Sequence, residues 1–190
     1  MAPAAQSAQV LLDSDALGRT IVRIAHEIVE RNPDLAAVAL VGIHTRGVPL
    51  AQRLRRLIAE FGGEEVALGT LDITFHRDDV HVRGAAAPER PQPVVKATRL
   101  DFALEGRTCV LVDDVLYTGR TIRAAIEALF SYGRPARVQL ACLIDRGHRE
   151  LPIRPDYVGK NLPTARDERV RVQLVEVDEL DRVLLVREGE

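Results

Sequence analysis

Two adjacent carboxylates, Asp113 and Asp114, follow directly on a short apolar run rich in β-branched residues. A turn that contains Thr118 and Gly119 comes next, and it leads into a segment with helical spacing. In a parallel α/β sheet, ligands bind where a strand ends and the next helix begins. Backbone N–H groups and the helix dipole favour a phosphate there, and carboxylates just before it can accept hydrogen bonds from ribose hydroxyls. The segment from Val110 to Arg123 therefore predicts a ribose-phosphate site.

Two other interpretations of Asp113 and Asp114 remain open on spacing alone. One carboxylate could cap the next helix while the other is a solvated loop charge. Alternatively, the pair could bind Mg²⁺ as in a phosphatase or a receiver domain, but the third acidic strand end or lysine of such sites is not assignable here. The following residues, Tyr117 to Thr121, supply hydroxyl groups, a glycine with free dihedrals and consecutive N–H donors,. They favour the phosphate cradle.

A second loop that could bind a ligand is Thr45-Arg46-Gly47. It follows the apolar run Val38–Ile43 and precedes a helical pattern. It could be an ordinary βα turn with a surface arginine. It could also be a pyrophosphate loop, because the Arg46 guanidinium is a planar and permanently charged fork for phosphate oxygens. Gly47 would let the backbone approach the ligand closely.

Alternating helices and strands must position these loops. The apolar residues Leu17, Ile21, Ile24 and Ile28 recur on one stripe and predict a helix, capped by Asp13 or Ser14 and ended by Asn32-Pro33,. The alternation predicts a mainly parallel sheet with right-handed crossovers. The predicted helices are Ser14–Arg31, Val48–Phe61 and Thr118–Tyr132, and the predicted strands are Val38–Ile43, Val66–Thr74, Thr108–Val112 and Arg137–Ile144, with short strands near Tyr157–Val158, Arg171–Val175 and Val183–Val186.

Bulk composition limits the function classes. The chain has 190 residues, 46% of them apolar and 28% charged, and it fits one domain over residues 10–190 after a disordered lead-in at 1–9,. No apolar run approaches the ~18 residues needed to span a membrane. Cys109 and Cys142 are expected to be buried free thiols in a reducing cytoplasm rather than a disulfide or metal site. The net charge of −2 includes 26 basic residues, so it neither supports nor excludes RNA binding,.

Between His76 and Arg99 the sequence becomes rich in charges, proline and glycine, without sustained periodicity. A polar segment of this length inside a compact domain is usually functional or mobile. We expect a flexible lid over about residues 76–99. Arg77 lies at its start and could also be a simple solvated charge.

The stretch Leu116-Tyr117-Thr118-Gly119-Arg120-Thr121 resembles the 5-phosphoribosyl-1-pyrophosphate (PRPP) signature of the type I phosphoribosyltransferases, and the PyrR family in particular. PyrR proteins are pyrimidine-operon regulators that also act as uracil phosphoribosyltransferases. Asp145–Pro152 and Tyr157–Thr164 resemble the PyrR base pocket and its surroundings, and the resemblance extends from about Val10 to Val186. It implies the type I phosphoribosyltransferase fold: α/β, with a central mainly parallel sheet flanked by helices, a small hood and a flexible lid.

The resemblance also implies roles for individual residues. Asp113 and Asp114 would hold the ribose hydroxyls, and Thr45-Arg46-Gly47 would hold pyrophosphate, with a strained cis peptide at Thr45–Arg46. Arg77 would reach the pyrophosphate when the lid closes, although His76 stands where a tyrosine is expected. Together with Asp113, Asp114 and Arg46, Arg77 completes the expected catalytic set. The expected 5′-phosphate loop comprises Val115, Leu116, Tyr117, Thr118, Gly119, Arg120 and Thr121, and the expected base contacts are Arg146 and Val170.

The implied reaction converts uracil and PRPP into UMP and pyrophosphate, with Mg²⁺ held mainly through PRPP and no protein-held structural metal. The implied partners also include UTP, leader RNA of the pyrimidine operon and further copies of the chain in a cytoplasmic homodimer or higher oligomer; no membrane is involved. A basic patch could contact the RNA, although arginine-rich surfaces are common in chains this rich in arginine. Its predicted members are Arg23, His26, His148, Arg149, Arg154 and Lys160.

Two rival functions remain open. The chain could transfer phosphoribose to another base, a purine or orotate, but Asp145–Pro152 argues against this. It could also be an RNA-binding attenuator with vestigial transferase activity. The presence of Arg46, Arg77 and both aspartates argues against such a loss.

Overall fold

A computed structural model describes residues 8–76 and 96–187 of the chain. Eight strands and four helices lie within these ranges, with short 3-10 turns at Leu35–Ala37 and Thr74–His76. The strands are β1 Ala8–Leu12, β2 Val38–Ile43, β3 Ala67–Leu71, β4 Thr108–Leu116, β5 Arg137–Asp145, β6 Tyr157–Asn161, β7 Glu168–Gln173 and β8 Arg182–Arg187, and the helices are α1 Ser14–Arg31, α2 Gly47–Gly62, α3 Arg120–Phe130 and α4 Val175–Asp178.

The strands form two sheets. The main sheet has the order β3-β2-β4-β5-β6, and every neighbouring pair in it is parallel. The carboxyl ends of its strands therefore meet at one edge. The small antiparallel sheet β1-β8-β7 is the predicted hood. The predicted α/β architecture is confirmed.

Two apolar layers hold the helices on the main sheet. Helices α1 and α2 contribute to one buried cluster and α3 to the other. The predicted stripe of α1 is buried throughout, since Leu17, Ile21, Ile24 and Ile28 are at most 3% exposed. Burying each such side chain contributes about 1.5–3 kcal/mol. Asp13, rather than Ser14, caps α1, and its Oδ1 accepts a hydrogen bond from the Ala16 N–H at 2.8 Å,.

Strand β4 differs from the prediction that a strand ends just before the carboxylates. Its pairing with β2 stops at Val112, but its pairing with β5 continues through Leu116. Asp113 and Asp114 therefore lie within a strand, although they break its apolar pattern. The helix that follows starts at Arg120 rather than Thr118, and β3 ends at Leu71 rather than Thr74.

The expectation of a disordered segment at 1–9 is wrong for its last two residues. Ala8 and Gln9 belong to β1 and pair with Val186 and Leu185 of β8. The pairing uses the backbone, so the small and polar side chains gave no sign of it. Residues 1–7 lie outside the described residues.

The chain leads into the predicted lid from the turn after β3, and the chain that leaves the lid pairs with β3. His76 ends a 3-10 turn, and Thr70 and Arg99 exchange two backbone hydrogen bonds of 2.9 Å. Residues 77–95, and with them Arg77, lie outside the described residues. Within 8–76 and 96–187, the structure contains no helix of the length and apolarity that a membrane span requires.

Candidate active site

Asp113 and Asp114 lie near the carboxyl end of β4. Asp113 is 8% exposed, and its Oδ1 accepts a hydrogen bond from the Asp114 N–H at 2.9 Å. Asp114 Oδ1 accepts one from the Val115 N–H at 2.8 Å. Burial raises the pKa of Asp114, while Asp113, the Val115 N–H and the charge of Arg46 act in the opposite direction,. Two acceptor side chains are thus fixed by the backbone at the sheet edge.

The turn after β4 has the geometry of an anion cradle. Gly119 has a φ of 93°, which favours glycine, and it is the N-cap residue of the helix α3 that begins at Arg120,. The Thr118 hydroxyl accepts a long hydrogen bond of 3.4 Å from the Arg120 N–H. The first-turn N–H groups of a helix lack partners within it and favour anions. The Thr118 carbonyl accepts hydrogen bonds from the N–H groups of Glu150 and Leu151, at 3.0 and 3.2 Å. The segment after β5 therefore packs against the cradle.

The loop between β2 and α2 reaches the same edge. Its cis peptide joins His44 and Thr45, not Thr45 and Arg46 as expected. Neither bond precedes a proline, so residue type gave no sign of which one it is. Gly47 is needed for space, because a Cβ there would lie 2.2 Å from the carbonyl oxygen of Val112. The start of α2 is thus pressed against β4 immediately before Asp113. The close approach of the Gly47 backbone to a ligand stays a prediction.

Arg46 forms a bidentate ion pair with Asp178, the last residue of the short helix α4 between β7 and β8. Its Nε and Nη2 lie 3.1 and 2.7 Å from the Asp178 carboxylate oxygens. The hydrogen bonds to Asp178 raise the pKa of the Arg46 guanidinium, although burial opposes them, and Asp114 adds to the rise through its charge. Sequence reasoning missed Asp178, since only the fold brings it to this loop.

A cleft of about 260 Å³ lies between these elements. It brings together three of the predicted site residues: Arg46, Asp114 and Val170. Two arginines of β7, Arg169 and Arg171, also line it and were not predicted. They add positive charge opposite the carboxylates, which suits a ligand that carries both hydroxyls and phosphates.

Arg146 connects the cradle to the base segment. It is 7% exposed, and its guanidinium donates to Thr164 Oγ1 at 3.1 Å and to the Glu168 carbonyl at 2.7 Å. The same group lies 4.1 Å from the centre of the Tyr117 ring, a cation–π contact,. Arg146 therefore fixes the phosphate loop, the loop before β7 and one side of the expected base site relative to one another.

The site geometry agrees with what comparisons with known proteins find. A model of the phosphoribosyl transferase domain family matches residues 7–180. The bifunctional protein PyrR of Roseiflexus sp. (strain RS-1) is 59% identical over 178 residues, which cover 93% of this chain and 94% of that protein. The chain belongs to the PyrR family. The bifunctional protein PyrR of Thermus thermophilus is 58% identical, with 94% and 96% of the two chains covered.

Among solved structures, hypoxanthine phosphoribosyltransferase from Trypanosoma cruzi in complex with IMP has the same fold as this PyrR-family chain. The TM-score is 0.68 at 18% identity, with 96% of this chain and 90% of that one covered. The likeness confirms the phosphoribosyltransferase fold that the PRPP-type signature implied.

The residues predicted to bind RNA in this PyrR-family chain have mixed environments. Arg23 bonds to Glu27 and to the carbonyls of Val158 and Gly159 on β6, and His26 stacks on Phe61 with a centroid distance of 3.9 Å. Arg154 and Lys160 are exposed. The predicted residues on and beside β6 thus lie near one edge of the main sheet.

Two other predicted RNA contacts are held by the protein itself. Arg149 donates to Asp145 Oδ2 at 2.5 Å and to the Tyr117 carbonyl at 2.6 Å, and His148 Nε2 lies 2.6 Å from the Thr164 carbonyl oxygen. These contacts join the base segment to the phosphate loop. Arg149 also lines a groove of about 470 Å³ that Arg154 shares.

Lys96 is a further site residue that sequence reasoning missed. Its Nζ lies 2.8 Å from Thr45 Oγ1 in the cis-peptide loop, and its backbone N–H donates to Asp72. Asp72 also accepts hydrogen bonds from the N–H and hydroxyl of Thr74. Hydrogen bonds from Thr74 and Lys96 lower the pKa of Asp72, although its burial opposes the shift. One carboxylate thus holds the chain on both sides of residues 77–95 and places a cation beside Thr45.

The two cysteines take no part in this arrangement. Cys109 and Cys142 are free and buried, as predicted, and burial raises the pKa of Cys109 to about 11. Among residues 8–76 and 96–187, no group of three or more histidine, cysteine, aspartate or glutamate side chains is placed to hold a metal ion.

Proposed function

We propose that this chain transfers the phosphoribosyl group of PRPP to uracil, producing UMP and pyrophosphate, and binds pyrimidine-operon leader RNA in response to uridine nucleotides. Membership of the PyrR family supports both activities. The observation that carries the transferase is the convergence, at one sheet edge, of the Asp113–Asp114 carboxylates, the start of α3 and the Arg46 loop. Each matches one part of PRPP.

In this assignment the residues divide PRPP between them. Asp113 and Asp114 accept hydrogen bonds from the ribose hydroxyls, and the loop from Val115 to Thr121 donates to the 5′-phosphate. Arg46 binds the pyrophosphate, with Arg77 as a second cation. Pyrophosphate leaves from the anomeric carbon through an oxocarbenium-like state, so positioning and fixed charges lower the barrier, and no covalent nucleophile is required.

The donor set also fits a magnesium ion carried by the substrate. Mg²⁺ prefers oxygen ligands and is commonly bound through one or two carboxylates together with substrate phosphates. Asp113 and Asp114 provide the carboxylates next to the proposed ribose position. When bound with PRPP, Mg²⁺ supplies positive charge that stabilises the leaving pyrophosphate.

The base site and the RNA surface extend this proposal. Arg146 and Val170 flank the uracil, and the cation–π contact of Arg146 with Tyr117 couples the base side to the phosphate loop. Leader RNA binds the basic residues near β6, foremost the exposed Arg154 and Lys160. The protein works in the cytoplasm as a homodimer or higher oligomer.

A steady-state assay with PRPP, Mg²⁺ and each nucleobase in turn tests the enzyme. We expect turnover with uracil and none with purines or orotate. Turnover with another base alone would show that the chain is a phosphoribosyltransferase specific for that base and not for uracil. If no base were turned over and UMP still bound, the proposed enzyme activity would be wrong. The chain would then be a nucleotide-sensing RNA-binding protein.

A further inference from the structure

The ion pair between Arg46 and Asp178 places a carboxylate where the proposed function places pyrophosphate. The Arg46 side chain is 30% exposed and that of Asp178 is 16% exposed. Asp178 Oδ2 also accepts a hydrogen bond from the Leu174 N–H at 3.0 Å, which fixes the carboxylate at the end of α4. The contact is therefore a partly buried and oriented pair.

An arginine within α2 anchors the segment that carries Asp178. Arg53 lies about two helical turns beyond Arg46 and so on the same face of the helix. Its guanidinium bonds to the Glu176 oxygens at 2.8 and 2.6 Å and to the Asp181 oxygens at 2.8 Å. Residues 174–181, here called the acidic segment, are thus held along α2 independently of Arg46.

The Arg46 fork cannot serve two anions fully at once. Guanidinium groups bind carboxylates and phosphates through the same bidentate geometry. The hydrogen bond from Arg46 holds the pKa of the Asp178 carboxyl below its usual range, so Asp178 is ionised at neutral pH. The Nε and Nη2 donors of Arg46 are therefore occupied by Asp178 before PRPP arrives.

We propose that Asp178 sets the affinity for PRPP by competing with the pyrophosphate group for Arg46. PRPP or pyrophosphate must displace the carboxylate, which weakens binding of both and favours release of the product. The inference rests on the proposed role of Arg46 in binding pyrophosphate. It makes Asp178 a residue of α4 that lowers the affinity for PRPP and pyrophosphate, whereas an ordinary binding residue raises it.

Titration of the full chain with inorganic pyrophosphate in a calorimeter tests the proposal. Asp178→Asn keeps the size of the side chain and an oxygen for the Leu174 N–H but removes the charge. We expect it to bind pyrophosphate about three- to tenfold more tightly, the size that loss of one partly exposed ion pair allows, with a matching fall in the KM for PRPP. Glu65→Gln is the matched control, because it removes a carboxylate that pairs with Arg55 on the same helix. We expect its affinity to stay at the wild-type value.

Arg46→Ala separates the two possible failures. If this variant binds pyrophosphate as tightly as wild type, the pyrophosphate loop of the proposed function is wrong. If it binds poorly while Asp178→Asn shows unchanged or weaker affinity, competition by Asp178 is overturned and the proposed function stands. Asp178→Ser provides the same comparison should Asp178→Asn fail to match the wild-type thermal transition.

Discussion

Asp114 combines a proposed binding role with a raised pKa. Its burial raises its pKa, so the folded protein favours the neutral form relative to the unfolded chain. The contribution of Asp114 to the free energy of unfolding is largest below the pKa that Asp114 has in the unfolded chain. It is lost as the pH rises through the pKa in the folded protein. Where Asp114 is ionised, its burial therefore works against folding, while the same charge is what the proposed contact with the ribose hydroxyls requires,.

Asp114→Asn should separate these effects. The amide keeps an oxygen for the Val115 N–H but accepts more weakly from ribose. We expect kcat/KM for PRPP to fall about 100-fold, of the order seen when a group acting on the transition state is lost. The free energy of unfolding at pH 7 should stay the same or rise by up to about 1 kcal/mol. Steady-state kinetics and urea unfolding measure the two quantities, and wild-type turnover in a destabilised variant would contradict the assignment.

At the scale of elements, the position of Arg46 depends on how closely α2 approaches β4. A Cβ at residue 47 would lie 2.2 Å from the Val112 carbonyl oxygen, so Gly47→Ala must push the start of α2 away. Overpacking of this kind costs about 1–3 kcal/mol, and the shift of Arg46 should also raise the KM for PRPP. Gly18→Ala is the control, because a Cβ at that helical position would meet no described atom within 4 Å other than its chain neighbours and the backbone of its own helix. It should stabilise the chain by about 0.5–1 kcal/mol, and equal unfolding midpoints for the two variants would disprove the close approach.

The ion pairs of Arg53 with Glu176 and Asp181 predict that the stability of the protein depends on pH. Hydrogen bonds from Arg53 lower the pKa values of Glu176 and Asp181. Both carboxylates therefore add stability above their unfolded pKa values, and this stability is lost as the pH falls through the lower folded values. Glu176 is 36% exposed, so solvent screens part of the effect,.

Arg53→Ala should lower the free energy of unfolding by about 1 kcal/mol at pH 7. The difference from wild type should shrink below about pH 4, where the carboxylates take up protons. Urea unfolding at pH 7 and at acid pH measures it, with Arg55→Ala as the control for loss of an exposed arginine pair on the same helix. If the free energies of unfolding of wild type and Arg53→Ala differed by the same amount at both pH values, the stabilising role of these ion pairs would be contradicted.

Elements whose bounds are set by their own residues were predictable from the sequence. Elements and contacts that depend on distant parts of the chain were not. Helix α1 matches its predicted bounds because the Asp13 cap and the apolar stripe lie within the helix itself. The end of β4 was misjudged because its last residues are held by β5 rather than by their own pattern. Asp178 and Lys96 reach the site from distant parts of the chain, and nothing in their local sequence marks them.

At the scale of the whole molecule, the question is whether catalysis and RNA binding can be separated. Arg149 bonds to Asp145 and to the Tyr117 carbonyl, so it supports the proposed 5′-phosphate loop whatever else it contacts. Arg154 shares its groove and is exposed. Substitution at Arg149 is therefore expected to change both activities, and substitution at Arg154 only one.

Arg154→Ala should weaken binding of leader RNA at every ionic strength and lower the slope of log affinity against log salt by about one, because one phosphate contact is lost. Its kcat for uracil should stay within about twofold of wild type, since a surface change away from the site alters stability little. Arg149→Ala should lower both kcat and RNA affinity, because the loop that carries the 5′-phosphate contacts loses its support. Filter binding with and without UMP, alongside the uracil assay, compares the variants. If Arg149→Ala changed only RNA affinity, the contacts to Tyr117 and Asp145 would have no influence on the nucleotide site, and sensing and catalysis would depend on separate surfaces.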